Sequence, residues 1–142
     1  MDTDDILTLE DVVGGYGKQT ILNGLSFGVR RGAITTVIGP NGAGKSTAFK
    51  AIFGMLTVRS GRIVFDGKEI THQTPRQLIA AGICYVPQGR NIFPELSVVH
   101  NLELGGSAAP EGIDLKPRIE AAMDRFPVLR KKAKQQASTL SG

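Results

Sequence analysis

The order of apolar and polar positions predicts β structure in the first third of the chain and helices in the last. Residues 6–9 and 25–29 alternate apolar with small or polar side chains, as half-exposed strands do. Residues 33–38 are mostly β-branched and uncharged, which is typical of a strand buried on both faces, and residues 83–86 show a similar pattern. A turn is expected at residues 14–17, which contain three glycines.

Local turn and capping signals predict a hairpin followed by a short helix. Residues 66–67, Asp-Gly, are typical of a two-residue hairpin turn. Thr74 can cap a helix, Pro75 suits its first position and Gln77 completes a capping box. We expect this helix to end at Gly82.

After Gln88 the pattern becomes helical. Ser97 can cap a helix that runs to Leu104 and ends at two glycines. Asp114 can cap a second helix that Pro127 closes. The apolar face of this second helix consists of Ile119, Ala122, Met123 and Phe126. The change predicts a subdomain boundary near residues 88–96.

A Gly-rich segment with the spacing G-x-x-x-x-G-K-[ST] lies between the predicted strand at 33–38 and a helical pattern. In that helix Lys50 points outward and the apolar residues recur at helical spacing, at Phe49, Ile52, Phe53 and Leu56. Strand, loop and helix are the context that this phosphate-binding motif needs. The candidate nucleotide-binding residues are Gly39, Pro40, Asn41, Gly42, Ala43, Gly44, Lys45, Ser46 and Thr47.

The chemistry of this loop follows from its residue types. Glycines let several backbone N–H groups point at one phosphate, and the N-terminus of the next helix adds partial positive charge. Lys45 can reach the β- and γ-phosphates of a nucleoside triphosphate, and the Ser46 hydroxyl can ligate Mg²⁺. The alternative is a turn that only packs a helix against a sheet.

Composition is that of a globular domain. The chain has 142 residues, of which 41% are hydrophobic and 21% are charged. Its longest nearly apolar run, residues 79–86, is too short to cross a membrane, and its acidic start argues against a signal peptide. A single cysteine excludes an internal disulfide, which fits a reducing cytoplasm. Because Cys84 lies in the apolar segment 83–86, we expect it to be a packed core thiol.

The formal net charge of +4 is unevenly distributed. Residues 1–112 are balanced, and the excess lies in 113–142, mainly at residues 130–134. A basic cluster can contact nucleic acid or anionic lipid, but no aromatic residues interleave these charges. We therefore favour a solvated helix or loop face and predict no nucleic-acid partner.

Further spaced motifs resemble the nucleotide-binding subunits of ATP-binding cassette (ABC) transporters, over residues 6–142. Tyr16 precedes Gly39 by 23 positions, where that family places an aromatic that stacks on adenine. Gln88 follows Lys45 by 43 positions and matches the glutamine that ligates Mg²⁺ or holds water near the γ-phosphate. The resemblance therefore implies ATP and Mg²⁺ as ligands, with Lys45 and Gln88 in catalysis and Ser46 and Gln88 at the metal.

The last residues, 138–142, resemble the start of the L-S-G-G-Q signature of the family. There a serine and backbone amides bind the γ-phosphate held by a partner subunit. The resemblance thus assigns Ser141 and Gly142 to the opposite site of a head-to-tail dimer. It also implies membrane permease subunits as partners, contacted by the segment after Gln88, and a cytoplasmic location on the inner face of the cell membrane.

The detailed resemblance is to ATPases of branched-chain amino acid importers, at residues 34–39, 52–54 and 86–98. Urea and short-amide importers carry related ATPases, so the transported substrate stays open. The implied fold is an α/β P-loop NTPase of the ABC ATPase type. Residues 1–88 would form the N-terminal antiparallel β subdomain and the P-loop part of the core, and residues 89–142 part of the helical subdomain.

Other family motifs lie beyond the signature: a Walker B aspartate, a catalytic glutamate and a switch histidine. His72 and His100 precede the signature and are expected to be solvated, and Glu95 and Glu103 cannot replace the catalytic glutamate. We therefore expect a fragment with a gap in its core sheet and an exposed apolar face, unstable and nearly inactive alone.

Other functions are compatible with parts of the sequence. A P-loop kinase or GTPase fits less well because the chain has no N-K-x-D guanine-binding motif and the spacing of Tyr16 would be unexplained. A non-catalytic nucleotide-binding module remains open. So does a soluble member of the same superfamily that acts in translation or DNA repair.

Overall fold

The computed structural model describes residues 4–89, 91–107, 109 and 112–140. The chain forms two compact units, residues 1–85 and 86–142. The first contains strands β1 (Asp5–Tyr16), β2 (Gln19–Arg30), β3 (Val58–Phe65) and β4 (Lys68–Glu69), and helices α1 (Lys45–Ile52) and α2 (Pro75–Ala80). The second contains α3 (Val98–Gly105), α4 (Lys116–Arg125), α5 (Pro127–Lys131) and a 3₁₀ turn at Ala137–Thr139.

The sheet of the first unit is antiparallel, with strand order β2-β1-β3-β4. The central strand β1 pairs on both sides, so that Leu9 lies opposite Phe27 of β2 and Ile63 of β3. The predicted hairpin between β3 and β4 is confirmed. Asp66 and Gly67 have φ angles of 48° and 74°, the left-handed conformation that a type I′ turn needs at both central positions.

One face of the sheet packs on the two helices to form the core. Leu9, Val12 and Ile63 are fully buried, and α2 adds Leu78, which is also fully buried. α1 contributes the small side chains of its inner face together with Ile52. Burial of this apolar surface is the main force that holds the unit together.

The predicted apolar stripe of α1 is only partly correct. The helix ends at Ile52, and Gly54, at φ 67°, reverses the chain. Phe53 and Leu56 therefore reach the core from beyond the helix, whereas Phe49 is 42% exposed. Helical spacing predicted that these apolar side chains share one buried face of the helix. Because the helix ends early, the set of side chains that is buried differs from this prediction.

The prediction of a doubly buried strand at residues 33–38 is wrong for this structure. The segment forms no strand, and Ile34 and Ile38 are 98% and 88% exposed. Residues 83–86 also form none, and Val86 is 81% exposed. A strand requires a hydrogen-bonded neighbour, and among the described residues none pairs with either segment. The expectation of an incomplete core sheet is thereby confirmed.

The prediction that Cys84 is a packed core thiol is also wrong, because its side chain is exposed. Its neighbours Ile83 and Tyr85 are partly buried against the core, and the Tyr85 ring lies 5.6 Å from that of Phe53. Successive residues of an extended segment point to opposite sides. Cys84 therefore faces away from the core that both of its neighbours contact.

The capping box of α2 is confirmed. The Gln77 backbone N–H donates to Thr74 Oγ1 at 3.4 Å, and the Thr74 backbone N–H donates to Gln77 Oε1 at 2.9 Å. Pro75 occupies the first helical position. Gly82 follows the helix with a φ of 96°, as expected for a residue that ends it.

Replacing Thr74 by alanine should lower the free energy of unfolding by about 1 kcal/mol, because the first turn of α2 loses its side-chain acceptor. Urea unfolding monitored by circular dichroism measures this change. Thr57→Ala, at an exposed threonine before β3 whose hydroxyl bonds to none of the described residues, provides a threonine control that should leave the unfolding transition unchanged. An equal loss in both variants would contradict the capping role.

The helices α3 and α4 of the second unit begin where the sequence predicts, except that α4 starts one residue later. Ser97 caps α3 as predicted, since its Oγ accepts from the His100 backbone N–H at 3.2 Å. α4 begins one residue later than predicted, with Leu115 at the cap position, and the Asp114 carboxylate accepts from the Lys116 backbone N–H at 3.0 Å. On the predicted face of α4, Met123 is buried. Elsewhere, the His72 and His100 side chains are exposed, as expected.

The end of α4 also departs from the predicted apolar face. Phe126 follows the last helical residue in an extended conformation, with φ −126° and ψ 81°, and its side chain is 54% exposed. Pro127 then starts α5. Proline disfavours helical geometry in the residue before it, which explains why Phe126 leaves the helix.

Candidate functional site

The Gly-rich loop leads directly into the N-terminus of α1. Gly42 and Gly44 both have a φ of 87°, a conformation that side chains with a Cβ rarely adopt. Gly44 is the cap residue of α1, and within the described chain no side chain bonds to the first turn of this helix. The first turn also carries no acidic residue. Its N–H groups and the positive end of the helix dipole therefore lie at the loop.

Lys45 lies across this loop. Its half-buried side chain places Nζ 2.7 Å from the carbonyl oxygens of both Gly39 and Pro40. An ammonium group has three donors, and the two carbonyls accept two of them. The loop thus holds a concentrated positive charge at the start of α1.

The two residues after Lys45 differ in accessibility. Ser46 is exposed in the first turn of α1, so its hydroxyl is open to a ligand. Thr47 is 9% exposed and belongs to the buried face of the helix. Of the two predicted hydroxyl-bearing residues, the structure presents Ser46 at the surface and packs Thr47.

Tyr16 lies at the end of β1, and the turn that follows it is shorter than predicted. Residues 14–16 belong to the strand, and the turn is confined to Gly17 and Lys18. The Tyr16 ring is 46% exposed. Lys50 of α1 places its Nζ 5.6 Å from the ring centroid, within the range of a cation–π interaction. This contact joins the aromatic ring to the helix that begins at the phosphate-binding loop.

The sequence analysis missed Arg59, which contacts the same turn from β3. Its guanidinium donates to the Gly17 carbonyl at 2.6 Å, to the Thr20 hydroxyl at 2.7 Å and to the Gln19 carbonyl at 3.3 Å. An arginine at the start of a strand gives no sign of such contacts, because its partners lie about forty positions earlier in the chain.

Gln88 belongs to the second unit and is exposed in a short turn. The next residue, Gly89, has a φ of 105°. Asn91, which the sequence analysis also missed, donates from Nδ2 to the carbonyl oxygens of Pro87 at 2.7 Å and Gly89 at 2.9 Å. An asparagine two residues after Gly89 is a signal that could have identified it, because asparagine side chains often bond to nearby backbone in turns.

Part of the basic stretch is paired within the chain. Arg130 forms ion pairs with Glu120 and Asp124, each at 2.7 Å, and the hydrogen bonds to these two carboxylates hold its pKa above the ordinary value. Lys132 donates to the Thr139 carbonyl at 3.1 Å. These contacts agree with the interpretation of this stretch as a solvated helix or loop face.

Other parts of the predicted site add little to the geometry. Ser141 and Gly142 lie outside the described residues. Within the described chain no three His, Cys, Asp or Glu side chains cluster as metal ligands would.

A mainly apolar cavity of about 470 Å³ lies beside the loop, between β2, residues 35–38 and the start of α1. None of the described helices combines the length and apolar character needed to cross a bilayer.

The curated proteins that this chain resembles include transport ATP-binding proteins. The chain is 43% identical over 128 residues to "Probable branched-chain amino acid transport ATP-binding protein LivF" of Archaeoglobus fulgidus, covering 90% of this chain and 54% of that protein. It is 34% identical over 137 residues to "High-affinity branched-chain amino acid transport ATP-binding protein BraG" of Pseudomonas aeruginosa, covering 96% and 58%. The chain thus spans little more than half the length of these relatives.

Solved structures show the same architecture. A nucleotide-free ATP-binding cassette from an ABC transporter superposes with a TM-score of 0.80 at 32% identity, over 96% of this chain and 59% of the other. An ATP-binding cassette of an ABC transporter in its ADP conformation gives a TM-score of 0.81 at 32% identity, over 99% and 60%. The fold is therefore that of the ABC ATPase type of P-loop NTPase. The sequence model described as "ABC transporter" matches residues 22–142, so this chain, with its phosphate-binding loop at the start of α1, belongs to the ABC transporter family.

Proposed function

We propose that this protein is the ATP-binding subunit of an ABC importer and couples ATP binding and hydrolysis to the uptake of branched-chain amino acids. The position of Lys45 carries the proposal: its ammonium lies across a Gly-rich loop at the positive end of α1. Such an arrangement suits a chain of phosphates, because ammonium, backbone N–H groups and helix dipole all favour negative charge.

Each part of the loop has a role in this proposal. Residues 39–44 cradle the phosphates with backbone N–H groups. Lys45 exchanges its bonds to the Gly39 and Pro40 carbonyls for bonds to phosphate oxygens, which are charged and therefore stronger acceptors. The lysine thus stabilises the negative charge that the transferred phosphoryl group spreads over its oxygens.

The residues present also suit Mg²⁺ bound together with the nucleotide. Mg²⁺ prefers oxygen ligands and uses few protein groups in addition to phosphates and water. The exposed Ser46 hydroxyl, in the turn after Lys45, supplies one such oxygen, and we assign the Gln88 amide oxygen to the same metal. When bound, Mg²⁺ neutralises phosphate charge. The turn that Asn91 holds would keep Gln88 available for this role.

Tyr16 is assigned to the base of the nucleotide. Nearly half of its surface is open, and a flat aromatic face can stack on a purine. Its contact with Lys50 ties the ring to α1, whose first residue is Lys45. The base and phosphate contacts are thereby linked through one helix.

The partners and substrate follow from the family and the relatives. The printed names of two relatives assign branched-chain amino acid transport to those proteins. We propose that two such subunits pair head to tail, with Ser141 and Gly142 contacting the partner's nucleotide. The segment after Gln88 would bind the permease subunits, which would hold the protein at the cytoplasmic face of the membrane.

Calorimetric titration with ATP in the presence of Mg²⁺ tests the nucleotide site, with the protein in the full form that its gene encodes. We expect binding that inorganic tripolyphosphate weakens by competition, because both ligands use the loop. The absence of heat with ATP and of competition would reject the proposal. Tighter binding of GTP than of ATP would favour a guanine-nucleotide enzyme.

A transport assay tests the substrate. The subunit and its permease partners, reconstituted in liposomes with the substrate-binding protein, should import leucine when ATP is supplied. Import of urea or a short amide in its place would identify the related importer class. ATP turnover without any partner-dependent import would favour a soluble member of the superfamily.

A further inference from the structure

We propose that Arg59 is a positioning residue for the nucleotide base: it holds the turn between β1 and β2 so that the Tyr16 ring stays in place beside α1. This inference rests on the proposed function, since it gives Arg59 a role at the same nucleotide site. It adds a residue from β3 that belongs to none of the recognised motifs.

The contacts of Arg59 all converge on this turn. One guanidinium nitrogen donates to the Gly17 carbonyl at 2.6 Å and to the Gln19 carbonyl at 3.3 Å, and another donates to Thr20 Oγ1 at 2.7 Å. Gly17 directly follows Tyr16, and Gln19 pairs with Tyr16 across the hairpin. Arg59 therefore bonds to both arms of the hairpin next to the aromatic residue.

A turn of this kind needs such support. It lies at the far end of two long strands, and Gly17 has a φ of 53° in open space, where a Cβ would meet no other atom within 4 Å. The β1–β2 register also shifts between Gly14 and Gly15, just before the turn. Loop ends with few packed contacts open easily, so bonds from a neighbouring strand restrict the motion of the turn.

The planar shape of the guanidinium explains why an arginine suits this position. Its donors lie in a fixed fork, which can reach two carbonyls and a hydroxyl at once. A lysine ammonium on a flexible stem is a point donor and cannot span the same three acceptors with the same geometry. The Lys50 ammonium holds the ring from the side of α1, whereas Arg59 holds the backbone behind it.

The effect on binding follows from pre-organisation. If Tyr16 is already in place, no ordering cost opposes stacking of the base. Without Arg59, the turn samples other positions. The apparent affinity for ATP then decreases in proportion to the fraction of molecules in which the Tyr16 ring is in place. Contacts to the phosphates are unchanged, because they depend on the loop at the start of α1.

The test compares ATP with inorganic tripolyphosphate, which has phosphates but no base. Calorimetry on the full protein with Mg²⁺ should show ATP binding weakened about tenfold in Tyr16→Ala and about three- to tenfold in Arg59→Ala. Tripolyphosphate binding should stay within about twofold in both. The double variant should bind ATP no more weakly than Tyr16→Ala alone, because both changes act on the same stacking contact between Tyr16 and the base.

Arg62→Ala is the matched control. Arg62 lies on the same strand and is also exposed, but it pairs with Glu10, far along β1 from the turn. It should bind both ligands as the unchanged protein does. Arg59→Lys keeps the charge and the stem, and it should give an intermediate loss for ATP. If Arg59→Ala does not fold, the comparison of ATP with tripolyphosphate binding in Arg59→Lys tests the proposed role.

Several results would overturn the inference. Equal losses for ATP and tripolyphosphate would show a general structural role, and an additive loss in the double variant would separate Arg59 from Tyr16. An equal loss in Arg62→Ala would point to surface charge alone. Failure of the proposed function gives a different result, because the unchanged protein would then bind neither ligand.

Discussion

Replacing Lys45 by alanine should lower the rate of ATP hydrolysis by at least about a hundredfold. The ammonium is the side-chain cation that the structure places on the phosphate-binding loop, 2.7 Å from the carbonyls of Gly39 and Pro40. Removing a single donor aimed at developing charge typically costs about 10²- to 10³-fold in rate. Steady-state phosphate release by the full protein, with its partners present, measures the effect.

Lys68→Ala is the control for this variant. Lys68 is an exposed lysine on β4, in the hairpin and away from the loop, so its loss removes the same charge without touching the site. We expect its turnover to match that of the unchanged protein, and both variants to unfold at the same temperature. Retained turnover in Lys45→Ala would remove this residue from the role proposed for it.

Replacing Leu78 by alanine should lower the free energy of unfolding by about 3 kcal/mol. Leu78 is fully buried where α2 packs on the core, and its backbone carbonyl accepts from the Ile83 N–H at 2.9 Å. Truncating a buried leucine loses transfer free energy and leaves a cavity, a combined cost of about 2–5 kcal/mol. At a slope of about 2 kcal/mol per molar urea, the unfolding midpoint should fall by about 1.5 M.

The neighbouring residue provides the contrast. Ile79 is 41% exposed on the same helix, so Ile79→Ala should cost below about 1 kcal/mol. The two substitutions have similar helix propensities and differ mainly in burial. A similar loss for both would show that helix formation, and not the packing of Leu78, limits the stability of this part of the unit.

The parts of the fold that could be predicted are those that depend on neighbouring residues. The Asp66-Gly67 turn and the Thr74–Gln77 capping box each involve residues at most three positions apart. The phosphate-binding motif is also local, since its spacing is contained within residues 39–47, and the family it indicated for the chain is confirmed. In these segments the residue types allow one favourable backbone conformation.

Predictions failed where the outcome depends on distant residues. The segment at 33–38 has the composition of a strand, but strand formation needs a partner, and none of the described residues supplies one. Cys84 is apolar enough for a core but faces outward, because its two neighbours contact Phe53 and the rest of the core. Composition indicates that a residue can be buried, whereas the surrounding elements decide whether it is.

The amino-acid sequence by itself predicted a phosphate-bearing ligand and the position of the loop proposed to bind it, because a short run of glycines, a lysine and a serine suggests that chemistry. Only the tertiary structure decided which residues support it. The guanidinium of Arg59 and the ammonium of Lys50 reach the Tyr16 segment from a strand and a helix far along the chain. Such contacts form when the sheet and α1 pack together, and no local pattern of residues specifies them.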